Sequence, residues 1–374
     1  MLILLVLCGV VSAVACGLLL RWGREGARRY GAAVPQRFHV GDIPRLGGAA
    51  MFLACAFGWA WLPVASALGI AHNIPFDASL AMTWCLVALT GAASGVVEDL
   101  THRLAASLRM VSTALAGLLA LILFGLLVPR TGIASLDAFW QHMPWLQVGV
   151  ALLVMTGLPH AFNLIDGYNG LAGTVALICC AALAHVALQL GDRQVAATTI
   201  VLAGASIGFL VWNYPHGLIF AGDGGAYLWG LVLGINGIQL VQRHPEVSPW
   251  FPILLLIYPI WEAIFSIYRK VVRGQSPSLA DALHFHQLIY RRVVREVFHD
   301  DATRRVLMRN NRTSPYLWGF TLLTVVPAVV FWRNTPVLVG FTVLFIVSYL
   351  WAYHSIVRFR MQRWLRRVRS LYPS

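Results

Sequence analysis

Charge is scarce in this chain: only 11% of its 374 residues are Asp, Glu, Lys or Arg, where soluble domains carry about 25%. With 59% hydrophobic residues and a mean hydropathy of +0.71, it cannot cover itself with polar surface in water. That shortage excludes a water-soluble globular protein and makes lipid the expected solvent. Acid is scarcer than base, at fifteen Asp and Glu against 28 Lys and Arg, for a net charge of +13. There is no internal repeat, no low-complexity tract and no separate hydrophilic domain. The six cysteines (Cys8, Cys16, Cys55, Cys85, Cys179, Cys180) all lie in apolar runs, and none has zinc-site spacing, so they read as packing residues. Nor does a positive segment precede the first apolar run, as it would in a cleaved signal peptide. Arg21, Arg24, Arg28 and Arg29 follow that run instead, which predicts an uncleaved first helix with its N-terminus outside.

What the chain does have is long apolar runs. Eleven reach membrane-spanning length, at about 1–21, 47–70, 79–97, 108–128, 148–162, 170–190, 197–213, 225–241, 250–268, 316–332 and 336–353. The expected fold class is therefore an all-α polytopic membrane protein. Residues 1–353 form one transmembrane domain, 269–314 its long cytoplasmic loop, and 354–374 a basic cytoplasmic tail. The fifth run is short and enters a Gly-containing turn, where a broken helix is expected. Eleven spans put the termini on opposite sides. Only Arg130, Arg193, Arg243 and Arg333 fall on one of those sides; the other 24 of the 28 basic residues fall on the second, which the positive-inside rule makes cytoplasmic. Positive charge gathered in loops and tail suits anionic lipid head groups and anionic substrates rather than nucleic acid.

The acids are few enough to weigh singly. Glu98 and Asp99 end the third run, Asp166 lies in FNLIDGYNGLAG, and Asp223 lies in IFAGDGGAYLWG. All three places fall on the cytoplasmic side, so they can converge. Carboxylates beside glycine-rich turns suit a hard cation such as Mg²⁺ bridging to phosphate oxygens. Read alone, Glu98 and Asp99 are equally well ordinary acids near arginines. The loop YRKVVRGQSPSLADALHFHQLIYRRV sets His284 and His286 among Arg269, Lys270, Arg273, Arg291 and Arg292. It reads either as a holder of phosphate groups or as a basic segment resting on anionic lipid. Histidines at i and i+2 do not share a helical face, so a turn is expected there. Glu262, inside the ninth run, is either functional or the partner of a nearby base such as Arg269.

Taken in order, these motifs resemble the polyprenyl-phosphate N-acetylhexosamine-1-phosphate transferase family, over about residues 35–295. This family includes bacterial enzymes that begin O-antigen, enterobacterial common antigen and teichoic acid assembly, and the translocase that makes lipid I. RFHVGDIPRLGGAAMF, with His39, Pro44, Arg45, Gly47 and Gly48, resembles its N-terminal Pro-Arg-x-Gly-Gly loop. GVVEDLTHRL resembles its paired-Asp motif, and FNLIDGYNGLAG, with Asn163, Asp166 and Gly167, its Asn-x-x-Asp-Gly-x-Asp-Gly-Leu motif. WNYPHGLIFAGDGG matches a further segment through Asn213, Pro215 and Asp223, and HFH matches its His-x-His motif. The chain departs from the pattern at Glu98, Asn169 and Glu262, where the family has Asp, and at Gln287, where it has a base.

The resemblance implies transfer of an N-acetylhexosamine-1-phosphate from a UDP-sugar donor to undecaprenyl or another polyprenyl phosphate at the cytoplasmic membrane, releasing UMP. It implies Mg²⁺ as cofactor, with Mn²⁺ the other candidate, held by Asp223 and Asp166. Asp99, Glu98 and Asp166 would be catalytic. Asn163, Asn213, His284, His286, Arg45, Lys270 and Arg273 would bind substrate. A homodimer is compatible with this assignment. Two other readings stand beside it: a member that binds without turnover, motivated by Glu98 and Asn169, and a transporter of nucleotide sugar or lipid-linked sugar.

Overall fold

The computed structural model describes residues 1–27, 43–70, 73–276, 283–294 and 301–358; His39 and nearly all of the basic tail lie outside them. The described residues form helices and no strand. In chain order these are α1 (Leu2–Ala27), α2 (Gly47–Ala67), α3 (Ala78–Thr101), α4 (Ala106–Phe124), α5 (Ala134–Trp140), α6 (Pro144–Ile165), α7 (Leu171–Gln189) and α8 (Arg193–Asn213). They continue with α9 (Gly222–Arg243), α10 (Trp250–Leu255), α11 (Ile257–Val272), α12 (Phe285–Arg292), α13 (Ala302–Asn311), α14 (Ser314–Val330) and α15 (Thr335–Val357). Among the described residues ten stretches are helical, long and apolar enough to cross a membrane.

The expected ninth span is present as a broken pair, α10 and α11. Pro259 has no N–H to offer the carbonyl of Leu255 one turn earlier, and that carbonyl accepts instead from Cys179 Sγ at 3.5 Å. The fifth expectation needs correction. The span is not short: α6 runs 22 residues and carries His160 and Asn163 as helical residues. It ends at Asp166 and does not continue as a broken helix. The expected loop 269–314 is also helical in part, through α12 and α13.

α9 is the axis of the bundle. Every residue from Gly222 to Val241 is buried, and it packs against α2, α3, α6 and α8. Its first turn meets its neighbours backbone to backbone. A Cβ on Gly48 of α2 would run into the backbone of Gly225, and one on Gly95 of α3 into that of Gly224. Gly47 and Gly48 donate to the carbonyls of Phe220 and Ala221 at 2.9 and 2.8 Å, and Phe220 N donates to Pro44 O at 2.9 Å. The Pro-Arg-x-Gly-Gly segment is therefore the seat of the α9 N-terminus. At the far end Arg130 donates to the carbonyls of Val241, His244 and Val247, closing the C-terminus of α9.

Candidate active site

Alternation of direction along the bundle brings the C-termini of α3 and α6 and the N-termini of α4 and α9 to one end, and the acids meet there. Asp223 lies in the first turn of α9. Asn163 Nδ2 donates to its Oδ1 at 2.6 Å. Its Oδ2 takes the Arg109 guanidinium from α4 and the Tyr227 hydroxyl at 3.3 Å. Asp99 faces the same turn from α3. Its two carboxylate oxygens accept the backbone N–H groups of Asp223 and Gly224, each at 3.0 Å. A carboxylate bound to the free amides of a helix N-terminus is stabilised by hydrogen bonds and by the helix dipole. Asp99 thus fixes the residue beside it rather than standing open to a substrate, which revises the catalytic role expected of it.

Asp166 closes α6. It is half-buried, and among the described residues its side chain accepts no hydrogen bond. Burial pushes its pKa up to about 7; the Arg45 guanidinium pulls part of the way back and the Asp223 charge adds to the rise. Arg45, in the segment before α2, therefore places its charge near Asp166. Asp166 and Asp223 are the pair suited to a divalent cation: one is an open carboxylate, the other a carboxylate already facing a positive group. No set of three His, Cys, Asp or Glu gathers among the described residues, but Mg²⁺ commonly takes one or two carboxylates and fills its shell with water and phosphate oxygens. The donor set fits on that basis.

Other expected site residues are committed elsewhere. Glu98 Oε2 accepts from Leu104 N at 2.7 Å and so holds the α3–α4 turn. Both polar atoms of Asn213 serve the backbone, Oδ1 accepting from Gly170 N at 2.6 Å and Nδ2 donating to Ile219 O at 2.7 Å. It ties two loops together instead of facing substrate. Lys270 is buried on α11, and Arg273 closes that helix exposed.

The two histidines are placed by Glu262. Its Oε1 pairs with His284 Nδ1 and accepts from Phe285 N, both at 3.1 Å, while its Oε2 accepts from the Tyr349 hydroxyl of α15 at 2.5 Å. Glu262 therefore pairs with a histidine and a tyrosine. His284 is the extended residue before α12 and His286 lies in its first turn, so the expected turn is present. The rings nevertheless stack at 5.4 Å and 9°. Burial, with the His284 and Arg269 charges, lowers the His286 pKa to about 3. It is a neutral imidazole, and its Nε2 lies 3.1 Å from where a Cβ on Gly167 would sit. A contact with phosphate from His286 would thus be a neutral hydrogen bond.

Arg109, Tyr227 and the His160–Thr113 pair at 2.9 Å were not singled out by sequence. For Arg109 there was a weak signal: a cation at the start of the apolar run 108–128 either reaches the interface or pairs with an acid.

The sequence profile of glycosyl transferase family 4 matches residues 80–241, a stretch that holds Asp99, Asn163, Asp166 and Asp223. A probable undecaprenyl-phosphate N-acetylglucosaminyl 1-phosphate transferase of Bacillus subtilis is 26% identical over 254 residues, which cover 67% of this chain and 66% of that protein. A decaprenyl-phosphate N-acetylglucosaminephosphotransferase of Mycolicibacterium smegmatis is 28% identical over 319 residues, 75% of this chain and 74% of the relative. An undecaprenyl-phosphate alpha-N-acetylglucosaminyl 1-phosphate transferase of Yersinia pestis is 28% identical over 267 residues, 68% of this chain and 67% of the relative. The chain thus spans just under two thirds of the Bacillus protein's length.

Proposed function

We propose a reaction from the premise that the chain belongs to glycosyl transferase family 4: it transfers an N-acetylhexosamine-1-phosphate from a UDP-sugar to a polyprenyl phosphate. An acceptor phosphate oxygen forms a bond to the β-phosphorus of the donor. The bond from that phosphorus to the bridging oxygen breaks, and UMP leaves with the electron pair. The products are a polyprenyl diphosphate sugar and UMP, a first step in building a cell-envelope glycan. The observation that carries this reading is the convergence of Arg109, of Asn163 with Asp166, and of Asp223 from three places in the chain at one end of the bundle.

The acceptor's second phosphate pKa is about 6, so the nucleophile is already largely ionised near neutrality and needs no strong base. What remains is to align two anions and offset their repulsion. Asp166 and Asp223 would hold Mg²⁺. When bound, the ion would neutralise the diphosphate and stabilise the charge that develops on the leaving group. Asp99 fixes the α9 turn, Asn163 orients the Asp223 carboxylate, Arg109 neutralises that carboxylate while no metal is bound, Arg45 adds positive charge beside Asp166, and neutral His286 can donate to a phosphate oxygen. The gathering of 24 of the 28 basic residues on the site's side supports a cytoplasmic site in the cytoplasmic membrane.

The test uses purified protein, undecaprenyl phosphate, Mg²⁺ and a panel of UDP-N-acetylhexosamines. UMP release that requires both the lipid and one of the sugars is expected. No release with any donor would overturn the reading. Donor binding without release would then identify a protein that binds without turnover, and movement of the intact donor across a vesicle membrane would identify a transporter.

A further inference from the structure

The helices after residue 241 lie outside the stretch matched by the family profile, yet their hydrogen bonds run into the site. Asn169, three residues after Asp166, is held through three of its polar groups by the α13–α14 junction. Its backbone N–H donates to Asn310 Oδ1 at 2.9 Å, its Nδ2 to Asn311 Oδ1 at 2.9 Å, and its carbonyl accepts from Ser314 Oγ at 2.6 Å. The next carbonyl, Gly170 O, accepts from Trp318 Nε1 at 3.0 Å. The junction also reaches the loop that leads to Asp223, where Asn311 Nδ2 donates to Pro215 O at 2.6 Å. It reaches α12 as well: Arg309 donates to Tyr290 O at 2.9 Å with its guanidinium 4.4 Å over the Tyr290 ring. Tyr290 packs at a tilt against Tyr168 at 5.3 Å, and Tyr168 packs edge-on against His286 at 5.5 Å.

We infer that the α13–α14 junction, through Asn311 with Asn310 and Ser314, is a positioning element of the active site that holds the Asp166–Gly170 turn in register with Asp223 and His286. Without these bonds the turn would lack a partner for each of those groups, and the backbone entropy lost in ordering it would not be offset. The residue types matter. An Asn side chain accepts at one atom and donates at another, so Asn311 can take the Asn169 amide and reach Pro215 O together, which an Asp cannot do. Asn169, where the family pattern has Asp, likewise supplies a donor that a carboxylate lacks.

The kinetic side of this inference rests on the sugar-1-phosphate transfer proposed above. The test uses the full chain in lipid nanodiscs and compares wild type with Asn311→Ala, Asn311→Asp, Ser314→Ala, Asn169→Ala and the Asn169→Ala/Asn311→Ala pair. UMP release, thermal midpoint and hydrogen exchange of peptides covering 163–172 and 214–221 are read. Asn311→Ala is expected to lower kcat by about tenfold or more, with KM for the UDP-sugar changed less than about threefold, because misplacement acts on the reacting geometry. Exchange should rise in those two peptides and not in α1 or α8. The double variant should lose little beyond Asn311→Ala, and Asn311→Asp should fall between. Unchanged kcat and unchanged exchange in a lowered-midpoint variant would assign the junction to stability alone and overturn the inference, as would losses that multiply in the pair. If wild type releases no UMP, the proposed reaction fails by itself, and the exchange pattern alone then decides whether the junction orders the turn.

Discussion

At the residue scale the site is a set of charges that hold one another. Arg109 neutralises Asp223, whose side chain is 11% exposed, and occupies the oxygen assigned to Mg²⁺ in the proposed reaction. Arg109→Ala should lower the thermal midpoint without Mg²⁺ by the equivalent of about 1–3 kcal/mol, the range for a buried group left without its partner. It should also tighten apparent Mg²⁺ binding, since no competing cation remains; weaker Mg²⁺ binding would show that Arg109 supports the metal site and does not compete with it. Asp166 gives a pH dependence whose sign can be derived. Its folded pKa of about 7 lies above the ordinary carboxylate value of 3.8, so between those limits the folded chain holds a proton that the unfolded chain has released. Metal-free stability therefore falls as pH rises through that window. A metal needs the ionised form, so apparent Mg²⁺ affinity should be about tenfold weaker near pH 6 than near pH 8. Asp166→Asn should abolish both trends, and an Mg²⁺ titration by thermal shift at the two pH values checks it. The carboxylates themselves were legible in the sequence because glycine-rich turns surround them. The functions of Asp99, Asn213 and Glu98 were not, because their partners are backbone groups and every Asp, Asn or Glu looks alike until the chain folds.

At the scale of elements, the α9 N-terminus is placed by contact between backbones. Gly48 of α2 and Gly95 of α3 face the amides of Gly225 and Gly224. Gly48→Ala and Gly95→Ala each place a methyl group where backbone lies, so the turn with Asp223 must move. Each should reduce UMP release by more than about a hundredfold, since a shift of about 1 Å suffices for that, and should destabilise by about 1–3 kcal/mol. Ala at exposed Gly319, where a Cβ would meet nothing, is the control and should leave both unchanged. Normal activity in Gly48→Ala would mean that the turn is held elsewhere. The spans themselves were readable from the apolar runs, and even the ninth, which is broken and runs from Trp250 to Val272, was found at 250–268 because hydropathy ignores a missing hydrogen bond. The break was not read from Pro259, because its effect depends on Cys179 supplying a substitute donor from another helix. The length of α6 was misjudged for a related reason. Asn163 looks like the end of a span by polarity, yet it lies inside the bundle, where it donates to Asp223.

At the scale of the whole molecule, orientation follows from charge. The carboxylate cluster, α12 and the α13–α14 junction all lie at one end. That end holds Arg45, Arg103, Arg109, Arg269, Lys270, Arg273, Arg291, Arg292, Arg304, Arg305, Arg309 and Arg312, while the opposite end holds Arg130, Arg193, Arg243 and Arg333. Each Lys or Arg near an anionic leaflet is worth about 1 kcal/mol of attraction, so this difference far exceeds what one moved residue could reverse. The six native cysteines are buried or half-buried within helices, so a single introduced thiol can be read against a low background. Cysteine at Arg103 and at Arg273 should resist a membrane-impermeant maleimide in intact cells and react after permeabilisation. Cysteine at Arg243 and at Arg333 should react in intact cells. Labelling of position 103 from outside would put Asp99, Asp166 and Asp223 on the side where UDP-sugars are not made. The transfer reaction could not then run as proposed, whatever the geometry of the cluster.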